Sequence, residues 1–325
     1  MINISIVEND IMRIYSDSNM GLLEELNIKN LELIRDNNKS EIWKSSLYDG
    51  YNSYSFILKY YKKRDNNLVE NIFNFHNWLY KIFKDDNDFG IPKPYGYVAE
   101  NNGILMESVN GKSLTHFING GIKNIFSIKD NELILIRVGE FLWRLQKSSL
   151  PESIHAKNIT PHDVDIDRHI EIIQKSYSDS SIVNKVKRFL DRYLNKNEIH
   201  NLVVSQFDYS PWNIILNGER QFLIDFEDAF YCQREQDLAN MYNLLSINMP
   251  SMYFKKRAIK YSELFLSGYG NDYNVDSFIF WRLIWLTKYT IRLRLNKIST
   301  YKEKIIKKIL LKKYYREYIN ITENL

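Results

Sequence analysis

The stretch Val204-Ser-Gln-Phe-Asp208-Tyr-Ser-Pro-Trp-Asn213-Ile-Ile-Leu216, followed by Phe222-Leu-Ile-Asp225-Phe-Glu227, is the most informative part of this chain. Two short apolar runs in it each deliver polar side chains at a turn. Asn213 follows Asp208 after five residues, and Asp225 comes twelve residues later. These three oxygen-bearing side chains are candidates for managing a phosphate group.

The chemistry of phosphoryl transfer explains why such side chains are needed. The protein makes few bonds itself and mostly positions a hydroxyl, a nucleotide and a magnesium ion. A carboxylate must accept or orient the attacking hydroxyl, and this role fits Asp208. Mg²⁺ takes hard oxygen ligands and keeps several waters, so one carboxylate and one amide oxygen are a typical protein contribution. We expect Asn213 and Asp225 to be those ligands.

The ordered set of motifs resembles the aminoglycoside phosphotransferase and choline kinase family. That family has a histidine-x-aspartate loop ending in Pro-x-Asn-Ile, then Ile-Asp-Phe-Glu and a later Asp-Leu-Ala. This chain reads Gln206-Phe-Asp208, Pro211-Trp-Asn213-Ile214, Ile224-Asp225-Phe-Glu227 and Asp237-Leu-Ala239. The resemblance implies a protein-kinase-like fold that uses ATP or GTP, with Mg²⁺, to phosphorylate a hydroxyl group of a small molecule. Asp237 is expected to be a buried acceptor that braces the catalytic loop.

A kinase-like fold also needs a lysine on a strand upstream of the catalytic loop. The run Tyr54-Ser-Phe-Ile-Leu-Lys59-Tyr-Tyr is rich in aromatic and β-branched residues and predicts such a strand. The resemblance makes Lys59 the phosphate-binding lysine. Residues 67–83 carry apolar side chains at helical spacing, and Glu70 on this helix is expected to pair with Lys59.

The segment Gly103-Ile-Leu-Met-Glu-Ser-Val-Asn-Gly-Lys-Ser-Leu114 resembles the hinge of the same family. The hinge joins the two lobes of a kinase-like fold. Its backbone from Glu107 to Val109 is therefore expected to bind the base of the nucleotide.

Two features depart from the family pattern. The segment from Arg35 to Trp43, which should turn over the phosphates and includes the expected nucleotide-binding residue Ser40, contains no glycine. Asn37 and Asn38 tolerate left-handed backbone better than most residues and are suited to make this turn. Gln206 stands where the family has a histidine that buttresses the loop, although glutamine also donates and accepts hydrogen bonds.

Length and composition agree with the two-lobed α+β fold that the resemblance implies. A chain of 325 residues with 44% hydrophobic side chains can bury a large core, and it is long for a single simple domain. We expect a β-rich N-lobe at residues 1–105, a hinge at 106–112 and a mostly helical C-lobe at 113–325. The C-lobe would carry the catalytic loop and the helices that bind the acceptor.

The sequence also predicts a cytoplasmic location. The N-terminus lacks the basic start and long apolar run of a signal peptide. No stretch reaches the roughly 18 uncharged residues of a membrane span. The single cysteine, Cys232, excludes an intrachain disulfide and a cysteine-rich zinc site, so a reducing compartment is the simplest expectation.

Positive charge is concentrated at the C-terminal end of the chain. Residues 288–325 hold 11 basic and 3 acidic side chains, while the formal net charge of the whole chain is +4. A solvated helix whose apolar stripe packs on the C-lobe explains this segment, and contact of a basic amphipathic helix with an anionic surface is the alternative. Neither reading tells the oligomeric state.

The same charge bears on the acceptor substrate. Aminoglycosides are polycations and favour acidic walls, whereas the C-terminal region is strongly basic. Sugars, aminoglycosides and amino alcohols such as choline all remain open as acceptors, and a neutral or anionic hydroxyl compound is at least as well supported as an antibiotic.

Two other function classes compete with a small-molecule kinase. A catalytically weak or inactive kinase-like scaffold would explain the glycine-free turn and Gln206, but such proteins usually lose at least one of the catalytic residues, all of which are present here. A protein kinase would need an Ala-Pro-Glu element after Asp225, and the chain instead continues directly to Asp237-Leu-Ala239.

Overall fold

The computed structural model describes residues 2–18, 27–48, 52–119, 128–149, 151, 154, 158–177, 179–196, 202–227, 230–248, 255–295, 300–323 and 325. Helices and strands are numbered in chain order. The described helices are α1 (Ile4–Ser18), α2 (Asn66–Phe83), α3 (Leu114–Asn119), α4 (Ile128–Lys147), α5 (Ile166–Ser176), α6 (Ser180–Asn195), α7 (Glu235–Asn243), α8 (Lys255–Tyr269), α9 (Val275–Leu295) and α10 (Tyr301–Glu323). The described strands are β1 (Asn27–Asp36), β2 (Ser40–Tyr48), β3 (Ser53–Tyr61), β4 (Phe89–Gly90), β5 (Pro94–Val98), β6 (Gly103–Glu107), β7 (Lys112–Ser113), β8 (Asn158–Ile159), β9 (Leu202–Ser205), β10 (Ile214–Asn217), β11 (Arg220–Leu223) and β12 (Phe230–Gln233).

The chain divides into two compact units. The first comprises Met1–Leu114, Pro151–His155 and Trp212–Glu227, and the second comprises Thr115–Leu150, Ala156–Pro211 and Asp228–Leu325. Most described strands belong to the first unit and most described helices to the second. The expected α+β fold class is therefore confirmed, whereas the lobe boundaries at residues 105 and 112 stay a prediction.

An antiparallel sheet with the strand order β1-β2-β3-β6-β5 forms the centre of the first unit. Successive side chains of a strand point to opposite faces. On β3, Leu58 and Tyr60 pack in a cluster with Val7 and Ile11 of α1. Tyr61 instead packs in a cluster with residues of α2. The strand predicted around Lys59 and the helix predicted after it are both confirmed.

A second sheet of the first unit, in the order β4-β11-β10-β7, places two of the candidate ligands. Strands β10 and β11 form a hairpin in which Asn217 pairs with Arg220, and Gly218 in the two-residue loop has a φ of +59°. Such loops need left-handed backbone, which glycine adopts readily. Asn213 lies directly before β10 and Asp225 lies shortly after β11, so the hairpin brings both to the same end.

The second unit is mostly helical and also contains a three-stranded sheet in the order β8-β12-β9. Its α10 helix bears on the expected basic tail. The buried hydrophobic residues described on α10 are Tyr314, Tyr318 and Ile321, whereas Ile305 and Ile306 are 44% and 40% exposed. Contact of α10 with an anionic surface stays a prediction. None of the helices in the described ranges has the length and apolar character needed to cross a membrane.

Candidate active site

The first unit encloses a cavity of about 390 Å³, a size within the usual range for small-molecule sites. Its walls are mostly apolar, and its polar lining is concentrated on a few side chains. The apolar walls include Ile42, Ile57, Ile72, Ile104, Met106, Val109 and Ile215. The polar and titratable lining residues include Arg35, Lys59, Tyr61, His76, Glu107, Asn213 and Asp225.

Lys59 is buried in this cavity and pairs with two carboxylates. Its Nζ donates a hydrogen bond to Oδ1 of Asp225 at 2.7 Å and lies 3.5 Å from Oε2 of Glu227. Burial alone would lower the pKa of Lys59, but the neighbouring acidic groups of Tyr61, Asp225 and Glu227 raise it above its ordinary value. Lys59 is therefore cationic at neutral pH, as a phosphate-binding lysine must be.

The expected ion pair between Lys59 and Glu70 is absent, which corrects the prediction made from the sequence. The Glu70 side chain is exposed and accepts a hydrogen bond from the hydroxyl of Tyr97. Helix α2 buries Val69, Ile72 and His76. Glu70 directly follows Val69 and is therefore rotated from it by about 100° around the helix axis. The helix therefore turns Ile72 and His76 to the cavity, and the carboxylates on Lys59 come from the segment after β11.

Asn213 and Asp225, the two expected magnesium ligands, both line the cavity. The backbone N–H of Ile224 donates to the carbonyl of Asn213 at 2.9 Å, which extends the ladder of the β10–β11 hairpin to the two side chains. Asp225 has a φ of +68°, a sparsely populated conformation that aspartate adopts more readily than most residues. One carboxylate and one amide oxygen on the same cavity suit Mg²⁺, which keeps several waters.

The ring of Phe226 anchors the backbone beside Asp225. Phe226 is buried, and its ring centroid lies 5.0 Å from that of His76. Nε2 of His76 lies 2.8 Å from the carbonyl oxygen of Pro92, so this nitrogen must carry the proton. Burial lowers the pKa of His76 to about 4, which keeps its ring neutral at physiological pH.

The expected hinge also lines the cavity through Glu107, Ser108 and Val109. Glu107 is held from both directions, because its backbone N–H donates to the carbonyl of Lys93 at 2.8 Å and its carboxylate accepts from the N–H of Lys93 at 3.1 Å. The N–H of Ser108 donates to the carbonyl of Ser55 at 2.8 Å. These bonds fix the backbone at the end of β6, where a nucleotide base is expected.

Ser40 is not among the residues that line the cavity, and its expected contact with the nucleotide stays a prediction. It is buried at the start of β2, and its backbone N–H donates to Oδ1 of Asn37 at 2.9 Å. The same Oδ1 accepts from the N–H of Lys39 at 2.8 Å. The turn is thus closed by an asparagine, as expected, but its own side chain occupies N–H groups that a phosphate would need.

The second unit carries Asp208 of the expected catalytic loop, and the backbone before Asp208 is strained. Phe207 has a φ of +67°, which is a genuine outlier for a bulky residue. Three hydrogen bonds hold it there: its N–H donates to Oγ of Ser205 at 3.0 Å, its carbonyl accepts from Nε2 of Gln236 at 3.3 Å, and the preceding N–H of Gln206 donates to Oδ2 of Asp237 at 2.9 Å. Strain that the surroundings hold in this way is typical of functional sites.

Asp208 is supported by a short relay, a chain of hydrogen bonds that runs from Tyr289 of α9 through Asn240 of α7. Nδ2 of Asn240 donates a long hydrogen bond of 3.5 Å to Oδ1 of Asp208 and another of 3.4 Å to the carbonyl of Tyr209. Oδ1 of Asn240 accepts from the hydroxyl of Tyr289. The hydroxyl of Tyr209 donates to the carbonyl of Val138 at 2.7 Å. The two buried side chains Asn240 and Tyr289 thus limit the rotation of the carboxylate.

Asp237 is a buried hydrogen-bond acceptor that braces the loop, which confirms its expected structural role. It is fully buried and accepts from the N–H of Gln206. Burial raises the pKa of Asp237 to about 7, and the charge of Asp208 adds to the increase, while the hydrogen bond from the backbone N–H of Gln206 opposes it. The residue that replaces the family's histidine is therefore held through its backbone.

Several site residues escaped the sequence analysis. His76 has a usable signal, since it follows the apolar Ile72 by one helical turn on α2. Glu227 lies within a sequence motif that does not by itself predict its contact with Lys59. Arg35 and Asn240 have no local signal, because their positions depend on contacts that are distant in sequence.

With this geometry in hand, comparison with known proteins identifies the family. A model described as the phosphotransferase enzyme family matches residues 44–274. This match covers most of the chain, so the chain belongs to that family, and the resemblance and enzyme class expected from the sequence are confirmed. No curated protein matches the sequence.

Solved structures with the same fold include kinases of several small molecules. A protein from Ralstonia eutropha, assigned provisionally as an aminoglycoside phosphotransferase, is 14% identical with a TM-score of 0.63, and the match covers 98% of each chain. The choline kinase from Cryptosporidium parvum is 13% identical with a TM-score of 0.57, covering 98% of this chain and 96% of the other. The ternary complex of APH(2")-IIa with streptomycin and ATP is 14% identical with a TM-score of 0.55, covering 90% of this chain and 94% of the other. At these identities the likeness shows the fold alone.

Proposed function

We propose that this chain transfers the γ-phosphate of ATP or GTP to a hydroxyl group of a small molecule. Asp208 accepts the proton of that hydroxyl while the hydroxyl oxygen forms a bond to the γ-phosphorus. The bond from this phosphorus to the β,γ-bridging oxygen breaks, and the nucleoside diphosphate leaves. Asn240 and Tyr289 orient the carboxylate of Asp208 during this step.

The observation that carries the proposal is the arrangement of Lys59, Asp225 and Asn213 on one cavity. The buried, cationic Lys59 supports a contact with the phosphates of the nucleotide, and the hydrogen-bonded backbone from Glu107 to Val109 supports a contact with its base. Asn213 and Asp225 would hold Mg²⁺, which when bound supplies charge neutralisation for the phosphate oxygens.

The acceptor is proposed at the level of a small hydroxyl compound of the sugar, aminoglycoside or amino-alcohol type. The proteins with this fold include one bound to streptomycin and one named as a choline kinase, which supports testing amine-bearing alcohols. The basic C-terminal region supports testing neutral and anionic sugars as well. The cytoplasmic location stays a prediction.

The direct test is transfer of labelled phosphate from ATP and GTP to a panel of sugars, aminoglycosides, choline and ethanolamine in the presence of Mg²⁺. The matched controls are Asp208→Asn and Asp191→Asn, since Asp191 is an exposed carboxylate on α6 in the same unit. Acceptor-stimulated transfer that is lost in Asp208→Asn and kept in Asp191→Asn is expected. Equal transfer by Asp208→Asn and the wild type would contradict the proposed role of Asp208.

A kinase-like scaffold is the second candidate, and one observation favours it. The turn between β1 and β2 uses its own N–H groups to close on Asn37, so this segment offers less to a phosphate than a glycine-rich loop does. Tight nucleotide binding without transfer to any acceptor of the panel is the result that this alternative predicts.

A further inference from the structure

Arg35 is a second cation on the cavity of the first unit, and nothing in the sequence motifs assigns it a role. Among the lining residues that the structure describes, the cationic side chains are Arg35 and Lys59. Lys59 is already engaged by Asp225 and Glu227. Arg35 is exposed and forms no ion pair with any residue in the described ranges.

A β-bulge in β1 explains why Arg35 faces the cavity. Leu33 pairs with Trp43, and Arg35 pairs with Ile42, so the register shifts at Ile34. Without this shift Leu33 and Arg35 would lie on the same face, because side chains alternate along a strand. Leu33 packs on the cluster that contains Trp43, whereas Arg35 lies on the opposite face with Ile42. Bulges are frequent next to active sites, where they redirect a side chain.

The sheet register places Arg35 and Lys59 on either side of Ile42. Arg35 pairs with Ile42 across β1 and β2, and Ile42 pairs with Lys59 across β2 and β3. Directly paired residues share a face, and strands lie about 4.8 Å apart, so the two cationic residues start about 10 Å apart on one face. Both are long side chains, so their charged ends can reach a polyphosphate group bound between them.

The turn that follows Arg35 already uses three of its backbone N–H groups in hydrogen bonds, so a phosphate bound there needs a donor from a side chain. Oδ1 of Asn37 accepts from the N–H groups of Lys39 and Ser40, and the N–H of Asn37 donates to the carbonyl of Ser40 at 3.1 Å. Backbone N–H groups in a turn are a common way to bind phosphate. Because these three are occupied, positive charge at this end of the cavity comes from a side chain.

We propose that Arg35 is a phosphate-binding residue of the nucleotide site. Arg35 and Lys59 lie on opposite sides of Ile42, and both bind the polyphosphate. The guanidinium presents a planar set of donors that matches two phosphate oxygens at once. This inference rests on the proposed function, because it requires a nucleotide in the cavity. It assigns to one arginine the contact that a glycine-rich turn makes through its backbone.

The test compares nucleotides with nucleosides in the full-length protein. Arg35→Gln removes the charge and keeps a side chain of related shape, while Lys29→Gln removes a cation from the same strand, about 20 Å away and outside the cavity lining. Calorimetric affinities for ATP and GTP with Mg²⁺, and for adenosine and guanosine, are measured for both variants. We expect Arg35→Gln to weaken triphosphate binding about tenfold, as for a lost hydrogen bond to a charged group, and to leave nucleoside binding unchanged.

Three results with the variants would overturn this assignment. An equal loss for nucleosides and triphosphates would mean that the stem of Arg35 only packs on the base. An equal loss in Lys29→Gln would indicate a diffuse effect of net charge, and no loss in Arg35→Gln would remove the residue from the site. Nucleotide binding by the wild type without turnover on any acceptor would count against the proposed function alone, whereas no nucleotide binding at all would overturn both.

Discussion

The cavity of the first unit and the catalytic loop of the second unit hold their functional groups in different ways. In the cavity, two side chains of opposite charge form an ion pair, with 2.7 Å between Nζ of Lys59 and Oδ1 of Asp225. In the loop, the carboxylate of Asp208 is supported by the amide of Asn240, and the strained backbone is fixed by hydrogen bonds to buried side chains.

This difference shows which part of the machinery must rearrange when a ligand binds. Under the proposed function, phosphate and metal would compete for the groups that now pair in the cavity, so binding there would exchange one set of ionic contacts for another. The loop needs no such exchange, because its hydrogen bonds already orient the carboxylate. Preorganised polar groups of this kind lower the reorganisation required during catalysis.

The largest effect is expected from Asp208→Asn, which tests the loop by itself. Loss of the general base should lower kcat by about 10³-fold. Nucleotide affinity should be nearly unchanged, since the residues that line the cavity all belong to the first unit. Single-turnover rates and calorimetric affinities measure the two quantities separately. A comparable loss in both would contradict the assignment of separate roles.

The next largest effect is expected from Asp225→Asn, which tests the cavity. This change removes a charged acceptor from both Lys59 and the proposed metal site, so nucleotide affinity in Mg²⁺ should fall by about 30-fold. Glu227→Gln should cost less, because the carboxylate of Glu227 lies farther from Lys59, at 3.5 Å. Titrations with and without Mg²⁺ are the measurement. Unchanged affinity in Asp225→Asn would remove Asp225 from the metal site.

A smaller effect is expected from Tyr289→Phe, which shortens the relay to Asp208. The change leaves the amide of Asn240 without its hydroxyl donor, so kcat should fall by about tenfold as the carboxylate loses orientation, while KM for the nucleotide stays constant. Thermal unfolding of the variant serves as the folding control. An increase in KM with unchanged kcat would argue against positioning of Asp208.

The smallest effect is expected in the pH dependence of stability, to which Asp237 of the second unit and His76 of the first unit contribute slopes of opposite sign. Asp237 has a pKa of about 7 in the folded chain and an ordinary value of 3.8. Between these values the folded state retains a proton that the unfolded state releases, so this group makes the protein less stable as pH rises from about 4 to 7. Asp237→Asn should remove that slope from the pH profile of Tm, and a profile with the wild-type slope would contradict the raised pKa.

His76 should contribute the opposite slope in the first unit. Its pKa is about 4 in the folded chain and ordinarily 6.5, so the unfolded state binds a proton first. Stability from this group is complete above about pH 6.5 and is lost as pH falls toward 4. His76→Gln, which keeps a donor for the carbonyl of Pro92, should flatten this acid limb. If the limb persists in the variant, other groups cause it.

Local sequence patterns predicted the parts of the site that depend on neighbouring residues. The strand that carries Lys59 and the helix over residues 67–83 follow from alternation and helical spacing. The missing ion pair between Lys59 and Glu70 depends on which face a helix turns to the sheet, and the hydrogen bonds before Ser40 depend on how a turn satisfies its own N–H groups. Both are set by packing and hydrogen bonds that local patterns do not encode.

The amino-acid sequence alone determined the chemical groups available for phosphoryl transfer and their order along the chain, because motif spacing depends on short-range turns and strands. It therefore placed Asp208, Asn213 and Asp225 in one catalytic scheme. Only the tertiary structure decided that residues 212–227 join the first unit, that Asp225 is the partner of Lys59, and that a bulge turns Arg35 to the cavity. These features arise from strand register and side-chain burial between segments far apart in sequence, where no local preference specifies the partner.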